Sequence, residues 1–405
     1  MSIAHASIVP LIGGETIAQQ NVLGSRPSYI LTYSVFKNNE SHLLNYYKNE
    51  VPYHVLDKTP PDVMNLKKVQ VINTVCPCAG LSSLSHSAAA DSKMNQWMYE
   101  SANYVLGQIK PEVFWGENAP RLASLTGKPV VEKLKAIGRE HGYSLLLYKT
   151  KSILHGLSQV RARTFYFYFK GDRLPVFNYY HRPHVRIEDA IVAAKAKKGD
   201  PMDVLTNRNT PSQDPYYRYV LEEIHGGITH QEFCTKILPK TQNVLNYIED
   251  QGPNYLTVSK WMKKNKYESA HKKCLYMYEK LKAGGNVMRK LTEFPKDYIG
   301  AFVAHMPTCL THPIEDRYLT IRESLSLMKM PEDFELLGGV RNLNHICQNV
   351  PVTTAEDMVT EIKGYLEGRR DTISETFAIQ DNLTQRYSFE TPASANTESL
   401  DKFMT

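Results

Sequence analysis

Short apolar runs alternate with helix-like stretches through the first half of the 405-residue chain, and this alternation restricts the fold more than any other feature. Ala6–Gly14 (ASIVPLIGG) reads as a strand ending in a Gly-Gly turn, after which Glu15–Leu23 can start a helix. Tyr29–Phe36 (YILTYSVF) is a second strand, Asn39–Lys48 a helix and Pro52–Leu56 a short third strand. Val71–Ser85 (VINTVCPCAGLSSLS) begins as a strand, Asn95–Lys110 is helical, and Val113–Trp115 and Tyr143–Lys149 are strands again. Strands alternating with helices imply a parallel, doubly wound α/β sheet, with its chemistry where the carboxyl ends of the strands open onto a crevice.

Three places on this scaffold carry reactive side chains. In Val71–Ser85 the strand enters a turn at Pro77 and presents the thiol of Cys78, a candidate nucleophile. The same residue alone would equally suit a small buried hydrophobe. Cys76 and Cys78 are too close for a zinc pair and no His/Cys pair completes one, so no metal is expected. Glu117 ends the strand before Ala119-Pro120, placed for acid/base work or for an ordinary loop or capping role. Gly156–Phe169 (GLSQVRARTFYFYF) runs from a turn into a strand, and alternation puts Arg161 and Arg163 on one face. Two guanidinium groups there suit a phosphate, a carboxylate or a base edge, or simply solvent. Gly13 and Gly14 allow close approach of a cofactor, or a plain tight turn.

Composition narrows the setting. A hydrophobic content of 42% supports a large core, and six unevenly spaced cysteines do not form a disulfide framework. No run reaches membrane-span length and the first residues lack a signal-peptide layout, so a cytoplasmic protein is expected. The formal charge of +6 permits a nucleic-acid partner without requiring one.

Taken in order, Pro77-Cys78, Glu117-Asn118 and Gln159-x-Arg161-x-Arg163 resemble the catalytic motifs of the cytosine C5 DNA methyltransferases. His312-Pro313, the run Arg317–Ser324 (RYLTIRES) and Met330–Phe334 are similar to the late motif of that family, and His345–Val352 (HICQNVPV) echoes its last. The resemblance covers about residues 1–175 and 300–365. It implies a Rossmann-like sheet of the class I methyltransferase type with an inserted, smaller target-recognition domain. It implies a Cys78 thiolate adding to C6 of a flipped-out cytosine, Glu117 holding N3 and the exocyclic amine, and Arg163, with Arg161, holding the base carbonyl and a phosphate. S-adenosyl-L-methionine is the implied donor and cytosine-containing DNA, most naturally duplex, the implied partner of a monomeric enzyme in a bacterial or phage-infected cell.

The cofactor motifs depart from the family. Ser7–Gly14 lacks the expected acid, the stacking Phe and one Gly, and the ribose and adenine positions align with Lys37 and Asn38. Asp57 remains where the family holds the adenine amine, Gly-Asn of the last motif becomes Cys347-Gln348, Ala79 replaces a Gln and Ser158 a Pro. The expected cofactor residues are thus Ile12, Gly13, Gly14, Lys37, Asn38, Asp57, Pro77 and Gln348. A lysine cannot accept from ribose hydroxyls but suits an anion. That raises a carboxylated donor, carboxy-S-adenosyl-L-methionine, giving 5-carboxymethylcytosine. The alternatives are a divergent methyltransferase in which Glu40 takes the ribose role, a folate-borne carbon, or a catalytically silent DNA-binding relative.

The expected organisation is a catalytic lobe 1–170, a target-recognition insertion 171–299, a return to the lobe over 300–368 and a polar tail 369–405. Lys260–Lys290 is rich in basic residues, and Tyr255–Lys264 suggests a helix starting after Thr257 or Ser259 with Lys260, Lys263 and Lys264 outward for phosphates. Gln159, the trio Asn207, Arg208 and Asn209, and Tyr179–Arg182 are candidates for DNA contact. Ala190–Lys198 reads as an amphipathic helix and Ala355–Glu367 as the last helix of the lobe.

Overall fold

The computed structural model describes residues 3–82, 89, 91–287, 292–303 and 306–390. The ends of three expected segments, 83–85 of the cysteine stretch, 288–290 of the basic stretch and 391–405 of the tail, lie outside the described residues. Strands β1 (His5–Ile8), β2 (Ile30–Thr32), β3 (Tyr53–Val55), β4 (Val71–Thr74), β5 (Val113–Asn118), β6 (Tyr143–Lys151) and β7 (Ala162–Lys170) join two C-terminal strands, Phe377–Asp381 and Arg386–Ser388. Among the described residues they form a nine-stranded sheet in the order Arg386–Ser388, Phe377–Asp381, β6, β7, β5, β4, β1, β2, β3. β3 through β5 run parallel along that order, and β7 is antiparallel to both β5 and β6. The α/β, mostly parallel sheet is therefore as the alternation implies.

Helices α1 (Gly14–Leu23), α2 (Lys37–Tyr46), α3 (Gln96–Tyr104) and α4 (Lys128–His141) make the crossovers. Because the sheet is covered on both faces, its central strands are apolar at consecutive positions: Phe165 through Phe169 are all 0% exposed. Trp115 stacks on Phe167 with centroids 5.9 Å apart, and Phe114 stacks on Tyr168 at 6.0 Å. Under α1 the layer is polar: Gln19 donates to Asn73 Oδ1 at 2.9 Å and accepts from Trp115 Nε1 at 2.9 Å, while Ser7 Oγ donates to Asn73 Oδ1 at 2.5 Å.

Two compact units divide the chain differently from the sequence expectation. One comprises 1–184, 328–337 and 345–405, the other 185–327 and 338–344. The stretch 300–327 does not rejoin the catalytic lobe, because its motif side chains are satisfied inside the second unit. Arg317 forms a two-pronged pair with Glu323 (2.8 and 2.9 Å), and Arg322 pairs with Asp200 at 2.6 Å. Thr320 and Glu323 bond each other's backbone N–H as a capping box for the helix Ile321–Leu327. Nor is 369–405 wholly a tail, since Phe377–Asp381 pairs in parallel with β6 from Phe377↔Leu145 to Asp381↔Lys149. Its five residues, three apolar followed by two polar, show no alternation, which is why it reads as irregular in sequence.

In the second unit two helices shift from expectation. The helix read over Ala190–Lys198 is Ile187–Ala193, and the lysines after it are not helical. The lysine helix begins at Tyr255, where Asn254 caps it by accepting from Thr257 N–H at 3.0 Å. Asn at that position is a helix-start signal that the basic stretch after it obscures. Lys260, Lys263 and Lys264 are exposed, and Trp261 packs edge-on against Tyr219 at 5.4 Å. Among the described residues no helix is long and apolar enough to cross a membrane.

Candidate active site

The strand order reverses at β1, flanked by β2 and β4, the point at whose carboxyl edge a doubly wound sheet presents its binding residues. Ile8, Thr74 and Gly116 lie side by side in register across β1, β4 and β5, so the segments after these three residues emerge at one edge. After β4 the chain passes Val75–Pro77 and turns, with Leu81 N–H bonded to Cys78 O at 3.0 Å. Cys78 is partly exposed, whereas Cys76 is buried and its thiol is pushed up to about 11 by that burial. Burial thus separates the two cysteines: the first is packing, the second can react.

Glu117 is the next residue after Gly116 and is 2% exposed. It faces Phe165 of the antiparallel β7, so Arg163, two residues before Phe165, is its diagonal neighbour on the same face. Glu117 Oε2 lies 2.9 Å from Arg163 Nε. The pair meets in distance but not in direction, and neither atom has a hydrogen-bond partner among the described residues. Both therefore keep bonding capacity for a ligand. Arg161 is 2% exposed; burial, then Arg163, pulls its guanidinium down to about 10, against the opposing charges of Glu117 and Cys78. The thiol, the carboxyl and both arginines thus share one electrostatic cluster. Asn118 locks the turn by accepting from Ala119 N–H at 2.8 Å.

Sequence reasoning missed one member. Glu15, in the first turn of α1, is 0% exposed and neither carboxyl oxygen has a hydrogen-bond partner among the described residues. Burial, and then the Glu117 charge, holds its carboxyl well above the usual range, against the opposing influence of its own backbone N–H, too poorly aligned to count as a hydrogen bond, and of Arg161 and Arg163. An acid directly after Gly13-Gly14 was the available signal, but an acidic residue in a first helical turn is ordinary.

The cofactor positions divide. Gly13 (φ 94°) sits so close to Leu43 that an added Cβ would fall 2.4 Å from its Cδ1. Ile12 is buried, and Leu11 and Val9 both take φ 50° without being glycine, a strain of about 1–3 kcal/mol each. Asn349, buried, accepts from Gly14 N–H at 2.9 Å, while Gln348 is exposed, so the side chain of the last motif that meets the glycine turn is one residue later than expected. Lys37 and Asn38 do not end β2. They are exposed on the first turn of α2, and the strand ends at Thr32, followed by Tyr33 and Ser34. Asp57 is exposed and accepts from Ser34 N–H and Oγ at 2.8 and 2.5 Å. Glu40 is buried, taking hydrogen bonds from Thr32 Oγ1 (2.6 Å) and Tyr53 OH (2.9 Å), and is not free for a ribose. Pro77 is partly exposed beside Cys78.

Of the expected DNA contacts, Gln159 is buried with Nε2 3.5 Å from Met328 Sδ. Asn207 is engaged with Thr308 O (3.0 Å) and Asn209 N–H (3.1 Å), while Arg208 and Asn209 are exposed. Tyr180 and Arg182 are bound to Glu361 and Asp357, which gives them structural work instead.

Comparison with known proteins gives the family and the fold. The family profile for C-5 cytosine-specific DNA methylases matches residues 18–364. A solved structure from E. coli, assigned as a DNA modification methyltransferase encoded within a prophage, is 14% identical with a TM-score of 0.55, over 90% of this chain and 100% of its own. The Entamoeba histolytica methyltransferase EhMeth is 12% identical with a TM-score of 0.51, over 90% and 99%. At these identities the likeness shows the shared class I methyltransferase fold. No curated protein matches the chain.

Proposed function

This chain belongs to the C-5 cytosine-specific DNA methylase family and is a DNA cytosine-5-methyltransferase-like enzyme, and from that premise we propose that it alkylates C5 of a flipped-out cytosine through a covalent Cys78–C6 adduct. The single observation that supports the reading is the approach of Glu117 to Arg163 at 2.9 Å on β5 and β7, at the strand edge after which the partly exposed Cys78 follows β4. Cytosine C5 is a poor nucleophile. Addition of the Cys78 thiolate to C6 converts the ring to an enamine whose C5 can attack an electrophilic carbon. Glu117 holds N3 and the exocyclic amine, which stabilises the adduct and distinguishes cytosine from thymine. The arginines hold the base carbonyl as charge develops. Loss of the C5 proton and departure of Cys78 sulfur then restore the aromatic ring.

S-adenosylmethionine, when bound, supplies the methyl carbon. The residues that would hold it are the Ile12–Gly14 turn, Asn349 and Tyr33–Ser34 at the end of β2, with the unpartnered Glu15 facing a cationic donor. The fit is better for this donor than for its carboxylated derivative, because Lys37 lies on an exposed helical turn and a buried carboxyl occupies the junction. DNA is the substrate the family implies; exposed Lys260, Lys263 and Lys264 are proposed to contact its phosphates and Arg208 and Asn209 its bases, inside a bacterial or phage-infected cell.

Duplex DNA carrying 5-fluorocytosine tests the mechanism. With S-adenosylmethionine, the wild type should form a denaturation-stable adduct and Cys78→Ser should form none. An adduct that survives in Cys78→Ser, or none in the wild type, rejects the covalent step. The mass of the nucleosides from ordinary DNA identifies the group transferred: a carboxymethyl product would overturn the methyl reading.

A further inference from the structure

We propose that Glu15 is the counter-ion for the positive charge of the alkyl donor, placed where donor and target base meet. The inference rests on the donor reading above and adds a residue that the family motifs do not assign. α1 follows the glycine turn on the donor side of the site, while Glu117, Arg161 and Arg163 stand on the base side. Glu15 stands in the first turn of α1, directly after Gly13-Gly14, fully buried and with neither carboxyl oxygen hydrogen-bonded to another side chain among the described residues, and it feels the charges of all three groups of the base side.

The charge balance gives its purpose. Two carboxyls, Glu15 and Glu117, oppose two guanidinium groups, and the thiolate that Cys78 must become in order to attack adds one negative charge beside them. A buried excess charge is costly unless it is paired. An incoming sulfonium supplies the missing positive charge and makes the loaded site neutral. Without it, Glu15 is the group that keeps a proton, consistent with its complete burial and with the absence of any hydrogen-bond partner for either oxygen among the described residues. Binding of a cation favours the ionised carboxyl, so donor binding should release a proton and tighten as pH rises. The groups that act on Glu15 in this balance are Glu117 from β5 and Arg161 and Arg163 at the start of β7.

Calorimetric titration with S-adenosylmethionine and with S-adenosylhomocysteine, its uncharged thioether counterpart, tests this directly. The wild type should prefer the sulfonium, with an affinity that rises with pH. Glu15→Gln should lose about tenfold or more of that preference and its pH dependence while binding the thioether as before, and Glu15→Asp should keep both. An unchanged preference in Glu15→Gln, or equal loss of both ligands, overturns the inference and leaves the covalent mechanism untouched. If the wild type binds neither ligand, the donor reading fails and this inference fails with it.

Discussion

Thr32 ends its strand with a hydroxyl, and that hydroxyl decides what Glu40 can do. Held by Thr32 and Tyr53, Glu40 is buried deeply enough that desolvation pushes its carboxyl up to about 8 against both hydrogen bonds, from 4.5. Between those two values the folded chain keeps a proton that the unfolded chain has lost, so stability falls as pH rises through the window, by about 1.4 kcal/mol for each pH step of one. Glu40→Gln removes the titration. Urea midpoints at about pH 5 and about pH 8 should therefore fall more in the wild type than in the variant, and parallel losses would refute the assignment. Cys78, Glu117 and Arg163 could be singled out from the sequence because their types and order match the motifs of one family. Glu15 and Asn349 were not, since a lone polar residue acquires its role only from burial and neighbours.

β7 shows the same division one level up. The run FYFYF announced a strand, and alternation was expected to put Arg161 and Arg163 on one face; β7 begins at Ala162, so Arg163 stands in the strand and Arg161 just before it. β7 pairs with its near neighbour in sequence, β6, but its antiparallel pairing with β5, which brings Arg163 beside Glu117, joins segments more than 40 residues apart, which no local pattern encodes. The C-terminal strand is a sharper case. Gln380 is fully buried, accepts from Phe177 N–H at 3.0 Å and donates to Phe177 O at 2.6 Å. Gln380→Ala strands both backbone groups and should cost about 2–4 kcal/mol, measured by denaturant unfolding; a loss below about 1 kcal/mol would mean that the strand is peripheral.

At the scale of the molecule, Cys78, Glu117, Arg161 and Arg163 belong to one unit and the lysine-bearing helix to the other. If those lysines neutralise phosphates, replacing Lys260, Lys263 and Lys264 together by Ala should lower the slope of log K against log salt by up to about 3. Little change in relative affinity between sequences is expected, because phosphate contacts carry no base identity. An unchanged slope in a filter-binding series would move the DNA surface elsewhere. What the sequence by itself determined was the alternation of strands and helices, hence the mostly parallel sheet, and the ordered motifs that mark the family, because both are written in short local patterns of residue type. Only the tertiary structure decided where the units divide, that residues 377–381 complete the sheet, that Glu40 is already engaged and that Glu15 is buried in the charged cluster. Those outcomes depend on burial and on pairing across long stretches of chain, and desolvation is a property of the packed molecule that a residue does not carry with it.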